Sequence, residues 1–153
     1  MVVTNQLITP SNPVTLNTVK PAMLLVPAAK NVSTDPPPPT FGSHEVDHYK
    51  CYKTKTTPGT AKFVSVQVSV SDQFTLAKTF DLKKIAFLCA PVDTNGSTIK
   101  HANVYQLCYK AQIATGQPKH TPVLGLHVAD EFGVERLDTK TEDMFCVPSQ
   151  VTQ

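Results

Sequence analysis

The sequence predicts an all-β protein: two tandem four-stranded repeats forming a sandwich or barrel of about eight strands, preceded by an N-terminal β arm. Three observations carry this. Val and Thr supply 18 and 19 of the 153 residues, and β-branched side chains suit half-buried strands better than helices. Val64, Val66, Val68 and Val70 alternate with Ser65, Gln67 and Ser69, the period-two pattern of a strand with one buried face. The four cysteines form two pairs of equal separation, Cys51 to Cys89 and Cys108 to Cys146, each 38 residues and offset by 57. Such a fixed offset marks an internal duplication.

Composition divides the chain into an arm at 1–35, a spacer at 36–43 and a body at 44–153. Eight of the 13 prolines lie in the first 39 residues and end in the run Pro36 to Pro39, which favours a semi-rigid polyproline II rod. The first 43 residues carry only Lys20, Lys30 and Asp35 as charges. The opening Met1-Val-Val-Thr has neither the charged nor the apolar region of a secretory leader, so export is expected by another route or through a leader outside this sequence.

The body reads as repeats 44–98 and 99–153. Cys51-Tyr52-Lys53 recurs as Cys108-Tyr109-Lys110, Asp72-Gln73-Phe74 as Asp130-Glu131-Phe132, and Phe87-Leu88-Cys89-Ala90-Pro91 as Met144-Phe145-Cys146-Val147-Pro148. Expected strands are 48–55, 62–70, 77–82 and 84–90, then 104–112, 121–128, 134–139 and 143–147. Turn signals separate them at Pro58-Gly59, Ser71-Asp72, Asn95-Gly96 and Thr115-Gly116.

No CxxC pair or Cys-His cluster at zinc spacing is present, so the cysteines read as disulfides. Four cysteines allow three pairings. The duplication favours Cys51–Cys89 with Cys108–Cys146, one staple per repeat. Disulfides imply an oxidising compartment, hence an extracellular or periplasmic protein. The alternative is four buried free thiols in a cytosolic domain.

The arm reads as half a repeat. Lys20-Pro21-Ala22-Met23-Leu24-Leu25-Val26-Pro27 aligns with Lys84 to Pro91 and with Thr141 to Pro148, and Leu25 stands at the cysteine position. Strands without their partners cannot bury an apolar face alone. Val14, Leu16, Val19, Met23, Leu24, Leu25 and Val26 therefore need a docking groove. A groove on a neighbouring subunit gives β-strand addition, and a head-to-tail contact that does not close builds a filament of identical subunits. The stiff spacer favours that reading. A groove on the same chain gives instead a monomeric secreted binding module, for carbohydrate or surface adhesion, with the arm folded back.

The Tyr49-Lys50-Cys51-Tyr52-Lys53, Asp72-Gln73-Phe74 and Phe87-Leu88-Cys89-Ala90-Pro91-Val92 segments resemble a family of secreted, cysteine-containing tandem β repeats from environmental microbes. The resemblance covers about 44–150. It implies subunits of extracellular, glycan-decorated fibrils in which an N-terminal arm inserts into the next subunit. In the second repeat Gln106-Leu107 replaces the Tyr-Lys before the cysteine, a departure from the pattern. The resemblance supplies no catalytic residues.

Other chemistries find little support. Thirteen lysines and the sole arginine, Arg136, nearly balance 12 acidic residues, without the arginine-rich stripe of a nucleic-acid binder. No apolar run is long enough for a transmembrane helix. His44-Glu45-Val46-Asp47-His48 matches HExxH, but that zinc site needs a helix. Here the segment runs into a strand, where the two histidines lie about 13 Å apart. Asp72 and Asp130 are expected to cap turns rather than to form a catalytic pair. The sequence therefore predicts no enzyme, no metal and no cofactor. Asn31-Val32-Ser33 and Asn95-Gly96-Ser97, both in expected loops, are N-glycosylation patterns. Thr34 and Thr40 flank the prolines as O-glycosylation candidates, so covalent glycans are expected partners besides identical subunits.

Overall fold

The computed structural model describes residues 1–152 and is all-β, with ten strands and no α-helix among them. In chain order these are β1 (Val2–Thr4), β2 (Val14–Leu25), β3 (Ala29–Asn31), β4 (His48–Thr56), β5 (Val66–Val70), β6 (Lys78–Val92), β7 (Tyr105–Ile113), β8 (Leu126–Asp130), β9 (Gly133–Leu137) and β10 (Met144–Thr152). A seven-stranded sheet runs β4-β2-β1-β10-β7-β6-β5, and β4 also pairs β6. That extra pairing closes six strands into a ring, which removes the open edges a flat sheet would expose. A second sheet, β3-β8-β9, completes a sandwich-like arrangement.

The expected strand pairs 77–82 and 84–90 prove to be one continuous strand, β6. Register shifts after Leu82 and after Ile85 bend it without ending its ladder to β7. A bulge adds a residue and a kink while pairing resumes beyond it. Its length lets β5 pair its first half and β4 its second half, with β7 along the other edge. In the second repeat the equivalent strand breaks between Leu137 and Met144. The freed β8–β9 hairpin then pairs β3 instead of joining the large sheet.

The main core gathers Val3, Ile8, Val14, Leu16, Leu82, Leu88, Leu107, Tyr109 and Val147. Its members come from the arm as well as from both repeats. A second cluster holds Tyr49, Cys51, Cys89 and Cys108, with Leu25, Phe87 and Met144 packed against it. Cys51 bonds Cys89 and Cys108 bonds Cys146, one bridge inside each repeat. Each bridge joins residues directly opposite on antiparallel strands. The Sγ atoms of Cys89 and Cys108 lie 3.9 Å apart, so the two bridges run side by side across β4, β6, β7 and β10.

Candidate assembly groove

The arm occupies a groove of its own chain. β1 lies between β2 and β10, and β2 pairs β4 along most of its length. Val3 and Leu16 are at most 1% exposed, so the arm closes the core rather than decorating it.

The register shows why this groove fits. β2 faces β4 through eight residue pairs, Leu16 with Thr56 to Leu25 with Tyr49. β6 faces β7 through eight pairs, Phe80 with Ile113 to Cys89 with Gln106. Adding 64 to each β2 number and 57 to each β4 number converts the first set into the second, pair for pair. Both irregularities transfer too: the shifts between Thr18 and Lys20 and between Pro21 and Met23 become those between Leu82 and Lys84 and between Ile85 and Phe87. Likewise, adding 57 to the six β4–β6 pairs gives the six β7–β10 pairs. β2 thus stands to the first repeat as β6 stands to the second. Pro21 is tolerated within the strand because it sits at a bulge.

Of the seven arm residues expected to need a groove, the structure buries Val14 and Leu16 and sets Leu25 against the disulfide cluster. Val26 is half-buried. Val19, Met23 and Leu24 are exposed, contrary to the expectation that all seven dock. Val19 falls at the first register shift, where the pleat loses its alternation. The sequence reading missed Val3 and Ile8, both core residues; the paired Val2-Val3 at the start of the chain was the available signal.

The spacer is tied down rather than projecting freely. Residues 32–47 hold no strand, only a short 3-10 turn at Phe41–Ser43. The Asp35 carboxylate pairs with His127 Nδ1 on β8. Lys100 Nζ donates to the carbonyls of Phe41 and His44 and lies 4.6 Å from the Phe41 ring centroid. Asp47, almost wholly buried, accepts the backbone N–H groups of Lys100 at 2.7 Å and His101 at 2.8 Å. Burial pushes its carboxyl up, but those two hydrogen bonds and the His101 ring prevail and hold it below the usual aspartate value.

His44 ends the 3-10 turn in extended conformation and His48 opens β4, so the HExxH residues share no helix. No cluster of metal-ligating side chains occurs among the described residues. Asp72 and Asp130 do cap turns: Asp72 Oδ1 accepts the N–H groups of Phe74 and Thr75, and Asp130 Oδ1 accepts that of Phe132. The Phe74 and Thr75 bonds hold the Asp72 carboxyl below its ordinary range. Asn31, Thr34, Thr40 and Asn95 are all exposed. Asn31 ends β3 instead of lying in a loop, and its Oδ1 caps the following turn through Ser33 N–H at 2.8 Å. Asn95 sits in a turn at φ 55°.

No family model, curated protein or solved structure matches this chain. The internal repeat is therefore the comparison the molecule itself provides. Among the described residues no helix is long and apolar enough to cross a membrane.

Proposed function

We propose that the protein is a structural subunit of an extracellular filament, polymerising head-to-tail by placing its N-terminal arm in the β4–β10 groove of the next copy. The register identity between β2 on β4 and β6 on β7 carries this reading. The arm is half a repeat, held by contacts that an identical groove on a neighbour would offer unchanged. Exchange then keeps the arm's own contacts and costs the entropy of association together with ties of the connecting segment such as Asp35 to His127. The strand-free segment 32–47 is where the chain would cross over. A crossing of this kind is heterologous, so it propagates. Two disulfides fit an oxidising, extracellular setting. Exposed Asn31, Thr34, Thr40 and Asn95 would carry glycans in that setting.

The arm lying on its own body supports the second reading, a monomeric secreted binding module. One experiment separates the two. Thr18 on β2 faces Thr54 on β4. Thr18→Cys and Thr54→Cys are made in separate full-length chains, assembled together and oxidised. Arm exchange yields a disulfide between the two chains on a non-reducing gel. Absence of that cross-link, together with a sedimentation coefficient independent of concentration, overturns the filament reading.

A further inference from the structure

A cleft of about 550 Å³ opens where β4, β6 and β7 meet the connection after β4. Five lysines line it: Lys53, Lys55, Lys62, Lys84 and Lys110. No acidic residue does, and none of the five forms an ion pair among the described residues. This concentration of charge occurs in a chain whose formal net charge is only +2.

The lysines are placed against their own electrostatic interest. Lys84 faces Lys110 directly across β6 and β7, and Lys20 faces Lys53 across β2 and β4. Like charges opposite one another destabilise a sheet. The two pairs are equivalents in the repeat, so the same unfavourable arrangement is built twice. Across β2, β4, β6 and β7 the lysines form a track of about 14 Å at the usual strand spacing.

We infer that this cleft binds an acidic polysaccharide, a linear chain bearing uronate or sulfate groups. Lysine ammonium groups are point charges that accept carboxylates and sulfates without strict geometry, and a repeated track matches a repeating anion. Nucleic acid fits less well: the only arginine, Arg136, lies on β9 in the other sheet, and the Phe63 ring is committed to Tyr109 at 4.8 Å. Stacking rings and arginine planes are what hold single-stranded bases. The inference does not rest on filament formation, because the five cleft lysines lie on β4, β6, β7 and the connection after β4, all of one body, and only Lys20 belongs to the arm.

The test uses the oxidised full-length chain, with alginate, dextran sulfate, neutral dextran, a single-stranded oligonucleotide and anionic phospholipid vesicles as probes. Alginate or dextran sulfate should bind in about 50 mM salt and release at about 500 mM, where screening shortens the reach of each charge. The Lys84→Gln/Lys110→Gln variant should lose about tenfold in affinity, one decade per 1.4 kcal/mol. Lys119→Gln/Lys140→Gln, outside the cleft, should lose none. Unchanged affinity in the cleft variant, equal binding of neutral dextran, or preference for the oligonucleotide or the vesicles overturns the inference.

Discussion

Met23 on the arm stands opposite Cys51, in the register position that Phe87 holds opposite Cys108 in the body. Neither Met23 nor Phe87 bonds its cysteine; each cysteine turns its sulfur to the strand on its other side, Cys89 or Cys146. The arm is thereby held without a covalent bond, by packing, ladder hydrogen bonds and side-chain bonds such as Asn5 to Tyr109, while one covalent bridge closes each repeat. A non-covalent segment on a covalently fixed body can leave one groove and enter another.

That division predicts unequal costs along the arm. Leu16 is 1% exposed in the main core, and Leu16→Ala should lower stability by about 2–5 kcal/mol. Val19 is 57% exposed, and Val19→Ala should change stability by under about 0.5 kcal/mol. Urea unfolding of the two variants checks the contrast. Similar losses at both positions would mean that the arm docks differently in solution.

Deleting residues 1–35 should do more than stop assembly. Val3, Ile8, Val14 and Leu16 leave the core together, at about 1.5–3 kcal/mol each, a sum comparable to the whole stability of a typical domain. The truncated body should therefore be unfolded or loosely packed. A peptide of residues 1–35 added in trans should restore the native circular dichroism spectrum. If the truncated body is already as stable as the full chain, the arm is not part of the core.

Each disulfide closes a loop of 38 residues. In the chain-entropy account such a loop contributes about 4 kcal/mol. Cys51→Ala/Cys89→Ala and Cys108→Ala/Cys146→Ala should each show a loss of this size in denaturant titrations. The bridge in the first repeat has both sulfurs fully buried, whereas Cys146 is exposed. Mild reductant should accordingly open Cys108–Cys146 first, as mass-mapped alkylation would show.

The all-β class was legible because β-branched residues are abundant and alternate with polar ones, and the 57-residue offset between the cysteine pairs reappears between the β4–β6 and β7–β10 registers. The continuity of β6 was not legible. Lys83-Lys84 interrupts its apolar alternation and reads as a turn, although a bulge absorbs the break while cross-strand pairing continues. The course of β8 and β9 was equally hidden. The short Glu131-Phe132 connection makes a local hairpin, but its departure from the main sheet depends on pairing with β3, about 100 residues earlier. The lysine cleft escaped because its members are scattered in sequence and converge only through strand register.

Tyr109 gives the fold an alkaline limit. The side chain is fully buried, and burial pushes its phenol up to about 12, against a small downward pull from the Asn5 amide donating at 2.8 Å. The folded value lies above the unfolded one of 10.0. The neutral phenol thus contributes its full stability below pH 10, and that contribution is lost as pH rises toward 12. Two pH units correspond to about 3 kcal/mol. Tyr109→Phe should cost about 1 kcal/mol at neutral pH, while Asn5 keeps its bond to Ser149 at 3.0 Å. The variant should also flatten the alkaline decline in unfolding free energy. An equal decline in both proteins would place the alkaline limit elsewhere.

Asp47 sets the corresponding acid limit, through the tether that holds the 100–101 backbone to the start of β4. Its carboxylate receives two backbone N–H groups, and His101 Nδ1 lies 3.3 Å away. Its folded value is depressed below the ordinary 3.8. The charged form therefore contributes stability that is present above that value and is lost as pH falls through the folded one. Asp47→Asn keeps the size of the side chain but exchanges one acceptor oxygen for a donor that faces an N–H. It should lower stability by about 1–3 kcal/mol at neutral pH. Because protonated aspartic acid also lacks the charge, the gap between wild type and variant should narrow below about pH 4. Urea midpoints measured across that range decide the matter: a gap that stays constant would show that the charge on Asp47 does not support the tether.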